Sequence, residues 1–169
     1  MDFFEYFGVK RSFQPQLGVV KRVYLEKSRE LHPDLNTHVQ ESENLEEMTA
    51  FNNEAYYTLS KEPSLFNYLL GLHGILLGDL NLSPEFLGEM MDLNEEIAEI
   101  RLEQDQQAID KMTQAIEQKK EMLRQELQPV LDAYDAGDMV GSLPKIAQYC
   151  LKSNYLRRLT NNLAGQIEL

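Results

Sequence analysis

Three adjacent residues, His32, Pro33 and Asp34, carry the first candidate chemistry of the chain. An imidazole beside a carboxylate could serve as an acid–base pair. Neighbouring turn residues rarely converge on one substrate atom, however, and nothing near them in sequence completes a nucleophile–base arrangement. The trio suits docking better. Pro33 stiffens the turn and holds His32 and Asp34 in a fixed relation to the preceding helix. Asp34 can accept hydrogen bonds or meet a cation on a partner, and Lys21 and Arg22, about three helical turns back, add positive charge. A plain helix stop followed by a cap would use the same residues, so the trio alone leaves both readings open. His38 and His73 have no metal-ligand spacing with other ligand types, and the single cysteine, Cys150, allows neither an internal disulfide nor a multi-cysteine metal site. No catalytic residue, metal or cofactor is assigned.

Composition narrows the class. The chain has 169 residues, 43% of them hydrophobic, enough for one domain or two small ones with their own cores. No apolar run approaches the ~20 residues of a membrane span, and MDFFEYFGVK lacks the basic start and apolar run of a signal peptide. A soluble, cytoplasmic protein is the expectation. The formal net charge of −12 argues against nucleic acid as a partner. That charge is unevenly spread. Residues 10–29 hold six basic residues (Lys10, Arg11, Lys21, Arg22, Lys27, Arg29) against one acid, Glu26, whereas residues 85–103 hold seven acids against Arg101. Opposed patches suit two faces for differently charged partners; from charge alone, two solvated helix faces remain the simpler reading.

The elements that must position these residues read as helices throughout. Asp2 caps a short helix from Phe3 to Phe7, stopped by Gly8. Ser12 to Pro15 reads as a turn, and Pro15 suits the start of a second helix, with Leu17, Val20, Tyr24 and Leu31 on one face and Val23 and Leu25 widening it; Pro33 ends it near Leu31. A polar loop from Leu35 to Ser42 leads to a stripe of Leu45, Met48, Phe51, Ala55 and Leu59. Pro63 opens a fourth helix through Phe66, Leu69 and Leu70. Gly71, Gly74 and Gly78 punctuate the next stretch, placing a boundary near residues 75–82. Ser83 and Pro84 then start the first of three amphipathic helices, about Pro84 to Leu102, with Phe86, Met90, Leu93, Ile97 and Ile100 inward. The second, about Gln106 to Tyr134, turns Ile109, Met112, Ile116, Leu123, Leu127 and Val130 inward and contains Pro129, which should kink or weaken its last turns. The third begins near Ser142, with Pro144 in its first turn, and carries Ile146, Cys150, Leu156, Leu159, Leu163 and Ile167. Short connections predict an antiparallel bundle.

The first half resembles a J-domain. Asp2-Phe3-Phe4-Glu5-Tyr6-Phe7-Gly8-Val9 is similar to the opening helix of that family, Lys21-Arg22-Val23-Tyr24 to its basic second helix, and Asn53-Glu54-Ala55-Tyr56 with Leu59-Ser60 to its third. The His-Pro-Asp turn lies where the family has it. Leu35 departs from a position that is often basic. The resemblance implies an all-α hairpin docking on a partner ATPase through Lys21, Arg22, His32, Pro33 and Asp34.

Residues beyond it resemble a narrower family, HscB, the J-type co-chaperones of iron–sulfur cluster assembly. Tyr68-Leu69-Leu70-Gly71-Leu72-His73-Gly74 is similar to that family's YLL-x-LHG run, and the segment from Phe86 to Ile100 to its first C-terminal helix. The resemblance implies a J-domain at 1–75, a linker at 76–82 and a C-terminal three-helix bundle at 83–169. It further implies a DnaK/HscA-type chaperone as one partner and an IscU-type scaffold as the other, with no enzymatic activity of the chain's own. By position, Leu87, Met91, Asp92, Glu95 and Glu99 would meet the scaffold, with Tyr155 at an aromatic contact position. Gly88 stands where a larger apolar residue is usual, and the cysteine-rich zinc segment of eukaryotic members is expected to be missing. Read bottom-up, Leu87 and Met91 either widen the core stripe or form an apolar patch running into carboxylates. A general J-protein whose helical arm binds another client or oligomerises is the alternative.

Overall fold

The structure, a computed structural model, describes residues 1–32 and 42–165. Pro33, Asp34, the expected loop from Leu35 and Ile167 therefore lie outside the described residues. Among those described, every regular element is helical: α1 (Phe3–Phe7), α2 (Leu17–Glu30), α3 (Ser42–Ser60), α4 (Glu62–Leu72), a 3-10 turn (Leu77–Asp79), α5 (Pro84–Glu103), α6 (Gln106–Asp135) and α7 (Met139–Leu163). They fall into two compact units, Met1–Gly74 and Ile75–Leu169.

In the first unit the ends of α1 are chemically specified. Asp2 accepts a hydrogen bond from the Glu5 amide at 2.9 Å while the Glu5 carboxylate accepts from the Asp2 amide at 3.0 Å, a reciprocal cap. Gly8 leaves the helix at φ 65°, a conformation that costs glycine little. Phe3, Phe4 and Phe7 are buried, and Phe3 stacks on Tyr68 at 4.5 Å while that tyrosine's hydroxyl accepts from the Phe3 amide at 3.0 Å. α2 and α3 pair antiparallel: Tyr24 stacks on Tyr56 at 4.1 Å, and Ser28 Oγ accepts from the Asn52 side-chain amide at 3.0 Å. Asn52 is buried, and it also donates to the Tyr24 carbonyl and accepts from the Tyr6 hydroxyl. A buried amide is tolerated only when so satisfied.

Two expectations for this unit are corrected. The expected turn from Ser12 to Pro15 is present, with Ser12 Oγ accepting from the Gln14 amide, but the second helix begins at Leu17, two residues after Pro15. Leu17 and Met48, both expected in the core stripes, are 51% exposed. Leu17 is the first residue of α2 and Met48 lies in the second turn of α3, so each sits toward the start of its helix.

The second unit is an up–down–up bundle. Phe86 meets Tyr155 and Asn94 meets Asn162, so α5 runs parallel to α7, whereas Lys120 meets Thr160 and Leu127 and Val130 lie beside Lys145 and Tyr149, so α6 runs antiparallel to it. Met90, Ile97, Met112, Ile116, Leu156, Leu159 and Leu163 form its core, flanked by Phe86, Leu93, Ile100, Ile109, Leu123 and Tyr155. Each fully buried side chain of this kind is worth about 1.5–3 kcal/mol. The caps are again readable: Ser83 Oγ accepts from the Phe86 amide, and Asp105 from the Gln107 and Ala108 amides.

α7 starts at Met139, not near Ser142, because Asp138 caps it by accepting from the Gly141 amide at 2.9 Å. Pro144 consequently lies inside the helix rather than in its first turn, and the Val140 carbonyl has no amide four residues on. α6 continues through Pro129 to Asp135, held on either side by the buried Leu127, Leu131 and Tyr134. No described helix is long and apolar enough to cross a membrane.

Candidate functional faces

The basic strip lies on α2. Lys21 and Arg22 are exposed. Arg29 shares their side of the helix, two turns on, and is exposed as well. Lys27 is drawn away from the strip, its ammonium 4.4 Å from the centre of the Tyr6 ring, where the ring face attracts a cation. Leu25, expected to widen the core stripe, is instead 44% exposed between Lys21 and Arg29. Its i, i+4 spacing to both is the signal that could have revealed a mixed apolar and cationic face. Just past the helix, His32 is exposed and its amide donates to the Arg29 carbonyl at 3.2 Å, fixing the backbone where the turn begins. Pro33 and Asp34 lie outside the described residues.

The orientation of this strip is set from behind. The Asn52 network clamps α2 to α3, and the Tyr24 hydroxyl donates to Asn53 at 3.1 Å. At the start of the unit, Arg11 Nη2 lies 2.5 Å from Asp2. Desolvation pushes the Asp2 carboxyl up, but the Glu5 amide, the Arg11 guanidinium and the Phe4 amide together outweigh it and bring the group below its ordinary value. Burial raises the Tyr6 hydroxyl, with the Glu30 carboxylate adding to it, and burial likewise raises Tyr68.

The acidic face lies on α5. Leu87, Met91, Glu95 and Glu99 succeed one another at intervals of four residues and all are exposed, with Asp92 exposed beside them. Met90 and Ile97, on the neighbouring arc, are the residues that bury. The core is thus complete without Leu87 and Met91, the latter 61% exposed. Of the two bottom-up readings of that pair, the geometry favours an apolar patch over a widened core stripe. A Cβ added at Gly88 would meet nothing within 4 Å. Tyr155 sits apart from the row: half-buried, it packs edge-on against Phe86 at 6.3 Å, so it borders the patch through that ring. Phe86, expected in the core alone, is therefore also the link between α7 and the exposed row. Chemically, the face can take a surface that is part apolar and part basic, and methionine adapts its shape to such contacts.

Comparison with known proteins agrees with this architecture. Residues 82–164 match the family model described as the HSCB C-terminal oligomerisation domain. The chain is 31% identical over 119 residues to the human iron–sulfur cluster co-chaperone protein HscB, a match covering 68% of this chain and 51% of that protein. It is 27% identical over 172 residues to the HscB homologue of Azoarcus sp. (strain BH72), covering 99% of this chain and 94% of the relative. Among solved structures, chaperone HscB from Vibrio cholerae superposes with a TM-score of 0.75 at 23% identity, covering 98% of this chain and 96% of that one. Human HscB superposes with a TM-score of 0.78, also at 23% identity, covering 98% and 82%. The expected all-α fold, a J-domain hairpin preceding a three-helix bundle, is the fold observed. The chain belongs to the HscB family.

Proposed function

We propose that the chain is a co-chaperone of iron–sulfur cluster assembly that works by holding two partners at once, acting in the cytoplasm. Its relatives are named co-chaperones, and the human one is named for the iron–sulfur cluster. The first unit docks on a DnaK/HscA-type chaperone through Lys21, Arg22, His32, Pro33 and Asp34, and stimulates ATP hydrolysis there. The chain itself catalyses nothing in this scheme. The second unit carries an IscU-type scaffold on Leu87, Met91, Asp92, Glu95 and Glu99, with Tyr155 at the margin. Joining two weak contacts on one molecule raises the effective concentration of scaffold at the chaperone.

The observation that carries this reading is the exposed α5 row, two apolar side chains leading into carboxylates, which the bundle core does not use. Titration calorimetry with the scaffold tests it. Changing Leu87, Met91 and Glu95 together to Ala should weaken binding at least tenfold without altering thermal unfolding, since none of the three is buried. Unchanged affinity would remove α5 from the interface.

One observation favours a second reading. The matching family model is described as an oligomerisation domain, and the same apolar row could join two copies of the chain. Sedimentation separates the two: self-association through α5 gives a mass that rises with concentration and falls back in the triple variant.

A further inference from the structure

The bundle has a second surface feature, at the end where α5 has not yet begun. At ~1.5 Å per residue, α6 with 30 residues and α7 with 25 outreach the 20 of α5. Their shared apolar seam therefore runs past the first residue of α5. The segment before α5 covers one side of it, where the 3-10 turn packs on α7 and the Asn81 carbonyl accepts from the Gln148 side chain at 3.1 Å. The remainder is an open groove of about 370 Å³. Leu123, Leu127 and Val130 of α6 and Tyr149 of α7 supply its apolar lining. Lys145 and Lys152 stand on it against one carboxylate, Glu126. A local cationic excess is unusual in a chain of net charge −12.

The groove is continuous with the acidic face. The Lys152 ammonium lies 5.5 Å from the centre of the Phe86 ring, which also packs on Tyr155. Phe86 precedes Leu87, the first residue of the exposed row. Along this path the surface changes from cationic (Lys145, Lys152) through apolar (Phe86, Leu87, Met91) to anionic (Asp92, Glu95, Glu99). A partner lying along it must carry the reverse sequence of charge.

We infer that the α6–α7 groove receives an acidic, apolar-flanked segment of the scaffold protein and so fixes the direction in which the scaffold lies along α5. This rests on α5 being the scaffold-binding face. The charge order decides in favour of this occupant: an acidic segment in the groove places the partner's basic surface over Glu95 and Glu99, whereas the opposite orientation sets like charges together at both ends.

The test is titration calorimetry of the full chain with the scaffold, at low and high salt, for Lys145→Glu/Lys152→Glu and, as a steric variant that keeps the charge, Val130→Trp. Each should weaken binding about tenfold, the charge-reversed variant also losing the part of the salt dependence that the groove contributes, while the part from Glu95 and Glu99 remains. Affinity within twofold of the unaltered chain for both variants, while Leu87→Ala/Met91→Ala still weakens binding, would overturn the groove and leave the α5 reading standing. Failure of the unaltered chain to bind the scaffold would overturn both. A concentration-dependent mass that disappears in Lys145→Glu/Lys152→Glu would assign the groove to a second copy of this chain, and would also overturn it.

Discussion

His32 follows the Leu31 cap of α2, exposed, with its amide tied to the Arg29 carbonyl. His32→Gln keeps a polar side chain there but removes the imidazole. It should abolish stimulation of the chaperone ATPase while leaving scaffold affinity within twofold; loss of both with the fold intact would mean that the two faces are not separable. Asp2 acts on stability instead. Its carboxyl is held below its ordinary value, so the folded state favours the charged form. The resulting stability is complete above the unfolded value, near pH 4, and is lost as pH falls through the lower folded one. Asp2→Asn retains a capping oxygen and removes the charge. Urea titrations should show the variant less stable at pH 7, with the difference shrinking below about pH 4; a constant difference would mean the charge contributes nothing.

At the scale of the helix, stability and presentation have separate causes. The buried Asn52 joins Tyr6, Tyr24 and Ser28, and so aligns the basic strip of α2 from its hidden side. Asn52→Ala should cost about 1–3 kcal/mol in urea unfolding, the scale of a buried hydrogen-bonding group lost with its partners left unpaired; a smaller effect would show that water replaces the amide. Helix number and most boundaries are legible in the sequence because caps and periodicity are local: Asp2 with Gly8, Ser83 with Pro84, and the Met90–Ile97 stripe each announce themselves within a few residues. The features that escape a sequence reading depend on tertiary context. Asp138 loses out to Ser142 as the α7 start because an aspartate in an acidic chain carries little signal until its side chain is seen on the Gly141 amide. Leu17, Leu25 and Met48 fit apolar stripes by spacing, but Leu25 lies beside the buried arc and Leu17 and Met48 lie toward the starts of their helices, and no single helix reveals how far its neighbour covers it. Family resemblance picks out the α5 row, whereas the residues alone leave it undecided between core and surface. Lys152 and the seam beyond α5 have no local mark, since they arise from unequal helix lengths.

At the scale of the whole molecule, the proposed chain is a two-ended adaptor whose ends differ in charge, cation-bearing on α2 and carboxylate-bearing on α5. Neither contact has to be strong. Each alone is a small exposed patch, and tethering converts the second encounter into an intramolecular one, a gain of order 10²–10⁴ when geometry allows both. The direct measurement is the steady-state ATPase rate of a DnaK/HscA-type chaperone with this chain, with and without an IscU-type scaffold. A two-ended adaptor should give modest stimulation alone and greater-than-additive stimulation when the scaffold is added, lost in both His32→Gln and the Leu87, Met91, Glu95 triple variant. Rates that are merely additive, or synergy that survives the triple variant, would contradict it.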